Sequence, residues 1–382
     1  PKQLMNPFDP DMASMIHNEM RKHGIKLVLG YTVEGFREKD NGVEILLKDN
    51  PSLQADMVVL AIGVTPDTAL AKEAGLELGI KGSIVVNDRM ETSVPDIYAA
   101  GDAVQVKHYV TGDDALISLA GPANKQGRII ADNICGGDSH YLGSQGSSVI
   151  KVFDMTAATT GINETNAKKS GLEVDTVILS PMSHAGYYPG GKVMTMKVVF
   201  EKETYRLLGA QIIGYEGVDK RIDVLATAIH AGLKATQLKD LDLAYAPPYS
   251  SAKDPVNMAG FMIDNIAKGT LKQWHLEDMD KISKDKNVVL LDVRTVGEFN
   301  RGHMKGFNNI PVDELRERIS EIEKGKPVYL ICQSGLRSYI ASRILEGNGY
   351  ETYNFSGGFR FYDTVVNDRA LIEMAYACGM DY

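Results

Sequence analysis

A single cysteine, Cys332, lies between an apolar strand-like segment at 328–331 and a segment in which Leu336, Ile340 and Ile344 have helical spacing. A thiol at such a junction faces backbone N–H groups and a helix N-terminus, which favour a thiolate or a bound anion. A free cysteine is otherwise usually a small buried hydrophobe. The run Cys-Gln-Ser-Gly-Leu-Arg-Ser that begins at Cys332 favours the chemical interpretation, which is sulfur or phosphate handling on the thiol.

The length of this loop separates the two chemistries. Four residues stand between Cys332 and Arg337. A phosphate-handling cysteine loop has one more residue there and a wider cradle for a tetrahedral oxyanion. The shorter loop suits one sulfur atom held as a persulfide, so we predict sulfur transfer, with phosphate-ester hydrolysis as the alternative.

Composition limits the classes of protein that this chain can be. Its 382 residues are enough for two or three domains, and a net charge of -9 argues against a nucleic-acid partner. No run of about 18 apolar residues predicts a membrane span. Cys135, Cys332 and Cys378 are too scattered for a disulfide framework or a zinc site, so we predict no metal and a cytoplasmic location.

The pattern of elements predicts an α/β and α+β multidomain fold that would place these residues. Residues 1–148 have α/β character, with a helix after Pro10, a hairpin across residues 40–42 and a helix at 121–134. In this region strands are predicted at 25–29, 57–62, 84–86 and 97–100. For the domain at 149–270 we predict strands and then helices, at 149–153, 193–200, 207–213, 217–231 and 255–267. After a predicted linker at 269–275, the domain at 276–382 alternates strand and helix at 288–293, 311–323, 328–331 and 338–346.

The region from about 276 to 368 resembles the rhodanese family. The resemblance is carried by the cysteine loop together with Leu-Asp-Val-Arg at 291–294, Gly-Glu-Phe at 297–299, Gly-His at 302–303 and Asn-Ile-Pro at 309–311. It implies that Cys332 accepts a sulfane sulfur and that Arg337 helps to close the loop. The backbone that would cradle the sulfur belongs to Gln333, Ser334, Gly335, Leu336 and Ser338. We expect structural roles for Asp292, Arg294, Glu298 and His303.

A second resemblance covers roughly residues 1 to 270. An acid follows a short apolar run and a glycine in Gly101-Asp102-Ala103, where a carboxylate can accept hydrogen bonds from a sugar or ribityl hydroxyl. Together with the upstream run at 59–67, which contains Gly63, this motif resembles the pyridine nucleotide-disulfide oxidoreductase family. The resemblance implies that Gly63, Gly101 and Ala103 lie at an FAD site, that Asp102 holds the ribityl chain and that Ala120 lies near the isoalloxazine ring.

Some features of that family are missing from the chain. Neither of its two Gly-x-Gly-x-x-Gly fingerprints is present, and no cysteine precedes Cys135. We therefore expect residues 1–148 to be a partial NAD- and FAD-binding region and the chain to be the C-terminal part of a longer enzyme.

With both of these regions, the chain resembles the coenzyme A disulfide reductases that are fused to a rhodanese domain. They imply a homodimer in which residues 149–270 form the dimerisation domain, with FAD and NAD(P)H as cofactors and coenzyme A as substrate or bound thiol. The expected reaction is reduction of coenzyme A disulfide, coenzyme A persulfide or polysulfide, coupled to sulfur transfer at Cys332. A stand-alone sulfurtransferase, a rhodanese-like phosphatase and a non-catalytic assembly module are the alternatives.

The same resemblance implies further site residues. Tyr187 and Tyr245 would reach the partner's active site, where each phenol could donate a hydrogen bond to a leaving sulfur. Lys253 and Arg128 would pair with a coenzyme A phosphate, and Asn124 would lie at the flavin edge. Lys125 is another candidate for the phosphate. Without the resemblance, these lysines and arginines would be solvated surface charges.

Overall fold

A computed structural model describes residues 2–39 and 41–377, with side chains described as far as residue 373. Cys378 lies outside the described residues. The chain forms two compact units. The first contains the residues up to Tyr31, Val149–Thr159 and those from Asn163 onward, and the second contains Thr32–Ser148 and Thr160–Ile162.

Within the described residues, the helices are α1 (Pro10–Lys22), α2 (Ala69–Glu73), α3 (Ala120–Ile134), α4 (Glu164–Lys169), α5 (Val218–His230), α6 (Pro255–Ala267), α7 (Met279–Ile282), α8 (Val296–Asn300), α9 (Leu336–Glu346) and α10 (Gly358–Ala377). The strands are β1 (Val33–Lys39), β2 (Gly42–Leu47), β3 (Leu53–Ala55), β4 (Ile84–Val85), β5 (Val104–Lys107), β6 (Asp114–Ala115), β7 (Ser148–Val152), β8 (Met155–Gly161), β9 (Val174–Leu179), β10 (Met194–Glu201), β11 (Leu207–Gly214), β12 (Gln273–Trp274), β13 (Val289–Asp292), β14 (Asn308–Asn309), β15 (Val328–Ile331) and β16 (Thr352–Phe355).

One sheet of the first unit has the strand order β7-β8-β11-β10-β9. Strand β10 pairs antiparallel with both neighbours, so that Met196 lies opposite Ile212 on one side and Leu179 on the other. Nearly every residue of β10 and β11 is buried, which explains their almost continuous apolar sequence. Helix α5 packs on β11, and α6 packs on α5 and β9. The strands and helices predicted for this region are confirmed.

The other sheet of the first unit is parallel, with the order β12-β16-β15-β13-β14. Parallel strands bring their carboxyl ends to one edge of the sheet. Asp292 ends β13 and Cys332 follows β15, so both lie at that edge. An apolar core that includes Leu291, Leu330 and Ala341 covers one face of the sheet. This places the cysteine loop between β15 and α9, as predicted.

The segment predicted as a linker at 269–275 is instead a structural part of the first unit. It contains β12, and Trp274 is buried against Phe355, with ring centroids 4.5 Å apart. One continuous apolar core contains Trp274, Ile16 of α1 and Ile178 of β9. The backbone N–H of Ile178 donates to Ser356 Oγ at 3.0 Å. A single core therefore joins α1, the antiparallel sheet and the parallel sheet.

Lys197 on β10 is buried beneath three carboxylates. Its Nζ lies 2.7 Å from Asp11, 2.7 Å from Glu164 and 3.2 Å from Asp9. Burial alone would lower the pKa of Lys197, but the three carboxylates outweigh burial and hold it above the ordinary value. Burial raises the pKa of Asp11, and Lys197 offsets this only in part. In Asp9, Lys197 and hydrogen bonds from Thr165 and Gln211 outweigh burial, so its pKa is lowered.

The second unit is built from two small sheets with the orders β1-β2-β3 and β4-β5-β6. The predicted hairpin is confirmed as β1 and β2, with Phe36 opposite Ile45. Helix α3 packs against a short turn of 3₁₀-helix at Gly101–Ala103. Met90, Val104 and Val106 form the buried centre of the unit.

Three predicted strands are wrong. Residues 25–29 and 57–62 are irregular, and the side chains of Met57, Val59, Leu60 and Ile62 are 64% to 90% exposed. A strand needs a neighbour for its backbone hydrogen bonds, and no strand in the described part of the chain pairs with these residues. Residues 97–100 contribute only an isolated bridge between Tyr98 and Glu91.

The helix predicted at 311–323 is also wrong. Glu314 N donates to Pro311 O, and Leu315 N donates to Val312 O, which makes successive tight turns. A short 3₁₀-helix follows at Ile319–Glu321. No helix of the described residues has both the length and the apolar character needed to cross a lipid bilayer.

Candidate functional site

Cys332 is fully buried at the carboxyl end of β15. Its Sγ accepts a hydrogen bond from the backbone N–H of Gly335 at 3.1 Å and another from Ser338 Oγ at 3.2 Å. The side chain of Asn354 donates to Gly335 O at 3.2 Å and so supports the turn from below. Of the backbone cradle predicted from Gln333 to Ser338, the N–H of Gly335 is the group that contacts Sγ, and the hydroxyl of Ser338 is the second donor. Both groups can stabilise negative charge on sulfur.

Glycine at two positions allows this loop to form. Gly335 has φ +98° and precedes α9, so the chain can turn from β15 into the helix. Gly358 has φ +73°, and a Cβ there would lie 2.7 Å from Gln333 O and from Ser334 Cα. The N–H of Phe359 donates to Cys332 O at 2.8 Å. The start of α10 thus packs directly on the backbone of the cysteine loop.

Arg337 is held by Glu298 through two hydrogen bonds of 2.7 Å each. The guanidinium and hydrogen bonds from Thr295 lower the pKa of Glu298 to about 2. Glu298 in turn raises the pKa of Arg337. A bidentate pair of this geometry fixes the orientation of both side chains. The predicted closing role of Arg337 thus has a partner in α8, which the loop sequence alone does not reveal.

Asp292 and Arg294 form the expected buried ion pair. Arg294 Nη2 donates to Asp292 at 2.7 Å and to Gly302 O at 2.8 Å, and its Nη1 donates to Gln333 Oε1 at 3.3 Å. The guanidinium carbon lies 3.8 Å from the centroid of the Phe359 ring. Arg294 therefore connects Gln333, the residue after Cys332, to the segments that contain Gly302 and Phe359.

A cleft of about 320 Å³ opens beside the loop, and Gln333, Glu298 and Phe359 line it. Arg301 and Arg360 lie at its rim and are exposed. Among the described residues, neither guanidinium has an acidic partner within salt-bridge distance. The cleft beside the cysteine loop thus carries uncompensated positive charge, which suits an anionic sulfur donor.

Tyr187 and Tyr245 are 58 residues apart in the chain, and their hydroxyls lie 2.9 Å apart. Both side chains are exposed, at 77% and 46%. The hydrogen bond with Tyr187 raises the pKa of Tyr245. Tyr245 also lines a cleft of about 510 Å³, together with Ser183, Lys220 and Arg221. The two phenols are brought together at the surface, where they can donate to a bound sulfur.

The predicted phosphate-binding residues and Asn124 are exposed. Lys253 Nζ lies 5.9 Å from the centroid of the Phe261 ring. Asn124 uses its amide to donate to Ala120 O within α3, at 2.9 Å. Arg128 reaches Asp132 at 3.9 Å and is otherwise open to solvent, and Lys125 is exposed too. Their roles stay predictions.

The motif predicted to hold FAD forms the turn before β5. Gly101 has φ +84°, and its N–H donates to Gln126 Oε1 of α3 at 2.7 Å. The carboxylate of Asp102 is exposed and has no hydrogen-bond partner among the described residues, so it is available to a polyol. Ala120 begins α3 and is exposed. These residues fit a ribityl chain laid against the turn.

Gly63 lies in the exposed irregular segment and has φ +95°. No described contact links it to the turn at Gly101, so its role at a cofactor site stays a prediction. Among the residues that the structure describes, no group of three or more His, Cys, Asp or Glu side chains could hold a metal ion.

Sequence reasoning missed three features of the cysteine site. Glu298 has the expected structural role, but its partner, Arg337, was not foreseen. The hydroxyl of Ser338, rather than its backbone, reaches the thiol. Gly358 was not singled out, although the Gly357-Gly358 pair after β16 is a sequence signal for a close backbone approach.

Three family models match the chain. The model described as pyridine nucleotide-disulphide oxidoreductase matches residues 1–127, the dimerisation domain of that family matches 147–255, and the rhodanese-like domain matches 275–363. The chain therefore belongs to the pyridine nucleotide-disulphide oxidoreductase family and carries a rhodanese-like domain. The predicted multidomain fold class is confirmed.

Individual relatives agree with this assignment. The chain is 37% identical over 253 residues to an NAD(P)H sulfur oxidoreductase (CoA-dependent) of Pyrococcus abyssi, covering 66% of this chain and 56% of that protein. It is 35% identical over 256 residues to the coenzyme A disulfide reductase of Staphylococcus aureus, covering 66% and 57%. Reduced Bacillus anthracis CoADR-RHD matches with 46% identity and a TM-score of 0.93, covering 96% of this chain and 66% of that one. The chain thus spans little more than half the length of these sequence relatives.

Proposed function

We propose that this chain belongs to a homodimeric, FAD-dependent enzyme that uses NAD(P)H to reduce coenzyme A disulfide or persulfide, and that Cys332 carries the sulfane sulfur. The observation that carries the proposal is the buried Cys332 thiol, which accepts hydrogen bonds from Gly335 and Ser338. The next residue, Gln333, lines a cleft that also contains Arg301 and Arg360. The proposal is further supported by relatives whose names include coenzyme A dependence and coenzyme A disulfide reduction.

The sulfur-transfer step begins with attack by the Cys332 thiolate on the outer sulfur of a persulfide, R–S–SH. A bond forms between Sγ and that outer sulfur while the S–S bond of the donor breaks. The proton of the persulfide passes to the inner sulfur, so that R–SH leaves and Cys332 carries a persulfide anion. The two hydrogen bonds at Sγ stabilise the thiolate before attack. The rim cations Arg301 and Arg360 would hold the anionic part of the donor.

The reductive step consumes two electrons. In the overall reaction R–S–SH, NADH and a proton give R–SH, hydrogen sulfide and NAD⁺, so that atoms and charge balance. Bound FAD would supply hydride acceptance from NAD(P)H and electron delivery to sulfur. Asp102 would hold its ribityl chain through the free carboxylate, beside Gly101 and Ala103. Tyr187 and Tyr245 would donate a proton or hydrogen bond to the leaving thiolate.

The decisive experiment compares Cys332→Ser with Cys135→Ser. Cys135 is a free, exposed cysteine and serves as the control for thiol chemistry in general. After incubation with thiosulfate or coenzyme A persulfide, mass spectrometry should find one added sulfur atom on the parent protein and on Cys135→Ser. It should find none on Cys332→Ser. Sulfur uptake by Cys332→Ser, or hydrolysis of an aryl phosphate by the parent protein without sulfur transfer, would contradict the proposal.

A further inference from the structure

Arg221 of α5 is only 1% exposed, and its guanidinium bonds to backbone oxygens of three different segments. Nη1 donates to Gly217 O at 3.1 Å, which is within its own helix turn. Nη2 donates to Ser183 O at 2.9 Å and to Tyr249 O at 3.3 Å. Charged donors of this kind make stronger hydrogen bonds than neutral groups do.

The charge of Arg221 is balanced by Asp254, which is also buried. Arg221 Nε and Nη2 lie 3.2 Å and 3.0 Å from Asp254 Oδ2. Ser250 Oγ donates to the same carboxylate oxygen at 2.7 Å and accepts from Nη2 at 3.1 Å. Asp254 also caps α6 by accepting from Val256 N at 3.0 Å. Each of the three guanidinium nitrogens therefore has an acceptor inside the protein.

These contacts connect the two loops that carry the tyrosine pair. Ser183 belongs to the loop between β9 and β10 that carries Tyr187, whereas Tyr249 belongs to the loop before α6 that carries Tyr245. The hydroxyl pair is exposed, so its own hydrogen bond, worth about 1 kcal/mol or less, cannot hold two irregular loops together. The separation of the phenols must be set by contacts beneath them.

We propose that Arg221 is the positioning residue that holds Tyr187 and Tyr245 at hydrogen-bonding distance. The inference rests on the proposed role of this pair in the chemistry of sulfur. Arg221 lines the cleft of about 510 Å³ beside Tyr245 and reaches both loops from its floor. A shorter or displaced cation there would remove these hydrogen bonds and leave the backbone hydrogen bond from Ala185 N to Ser250 O, at 3.0 Å, as a weaker link between the two loops.

Gly217 offers a second way to disturb the same guanidinium. It has φ +67°, and a Cβ at this position would lie 2.0 Å from Arg221 Nη1. Gly217→Ala must therefore displace Arg221 without changing its chemistry. Gly232, just beyond the other end of α5, has φ +69° and no atom within 4 Å of its Cβ position. Gly232→Ala thus carries the same backbone strain with no effect on Arg221, which makes it a matched control.

The test is the ionisation of Tyr245, measured by NMR titration of isotope-labelled tyrosine and assigned with Tyr245→Phe. In the parent protein its pKa should lie above the ordinary value of about 10. Tyr187→Phe removes the partner and defines the size of the downward shift. Arg221→Lys and Gly217→Ala should reproduce that shift, and Gly232→Ala should not.

A folded Arg221→Lys or Gly217→Ala protein in which Tyr245 keeps its raised pKa would overturn the proposal. If Arg221→Lys does not fold, Gly217→Ala alone decides, with folding followed by the fluorescence of Trp274. The titration needs no turnover. Loss of reductase activity in Tyr187→Phe therefore tests the proposed function separately. The titration can contradict the role of Arg221 while the activity supports the proposed function, and the reverse is equally possible.

Discussion

Replacing Lys197 by methionine is expected to destabilise the first unit by about 3–5 kcal/mol, because it leaves buried carboxylates without their cation. The pKa of Asp11 gives a second estimate of this loss of stability. Asp11 is buried and already has a raised pKa, so it would take up a proton instead of remaining charged. Protonating a carboxyl with an unfolded pKa of about 3.9 at pH 7 costs roughly 4 kcal/mol. Both routes predict the same range.

The pH dependence of this variant has a definite sign. In the parent protein the pKa values of Asp9 and Glu164 are lowered, although burial works in the opposite direction. These carboxylates stabilise the fold above their unfolded pKa values, and the stabilisation is lost as the pH falls through the folded values. In Lys197→Met the folded state binds more protons than the unfolded state, so stability increases as the pH falls. The difference between the two proteins should therefore narrow from pH 7 to about pH 4.

Urea unfolding followed by the fluorescence of Trp274 measures this effect, because the chain has one tryptophan and it lies in the core of the first unit. Lys202→Met removes an exposed lysine just beyond β10 and should change the stability by no more than about 0.5 kcal/mol. Adding Asp11→Asn to Lys197→Met should restore part of the loss. A loss below about 1 kcal/mol, or a difference that stays constant with pH, would refute the reasoning.

Three further predictions concern the cysteine loop. Glu298→Gln should release Arg337 and lower the rate of sulfur transfer. Because the pKa of Glu298 is about 2, this carboxylate stays ionised between pH 7 and pH 4, and the parent protein should lose no activity through its protonation in that range. Gly358→Ala should cost about 1–3 kcal/mol and most of the transfer activity, because the new Cβ meets the loop backbone at 2.7 Å. Gly349→Ala, with φ +80° and open space around it, is the control, and an equal loss in both variants would contradict the steric argument. Arg360→Gln should lower kcat/KM for thiosulfate about fivefold and leave neutral persulfides unaffected, and equal effects on both donors would count against a charge role.

Local patterns in the sequence were sufficient for the cysteine loop. Strand, loop and helix are contiguous there, so Cys332 could be placed without knowledge of distant contacts. The contact between Tyr187 and Tyr245 depends on how two loops fold over α5, which spacing along the chain does not encode. Those two residues were singled out only through a family resemblance.

Strand prediction was wrong where burial depends on a pairing partner. Residues 57–62 are apolar enough for a central strand, yet the described chain provides no neighbour for them. Lys197 illustrates a related limit, because the pattern of β10 predicts an apolar core residue at this position. The carboxylates that neutralise Lys197 belong to Asp9, Asp11 and Glu164, which lie 188, 186 and 33 residues earlier in the chain. Long-range electrostatic partners of this kind cannot be recognised from local composition.

The continuous core around Trp274 has a consequence for cutting the chain. A protein truncated near residue 270 would lose Ser356, the hydrogen-bond acceptor of Ile178 N on edge strand β9, and would expose apolar side chains such as Met155. An unpaired edge beside new apolar surface promotes aggregation. We therefore expect the rhodanese-like domain and the antiparallel sheet to be expressed and purified as one piece, although sequence models divide them into two families.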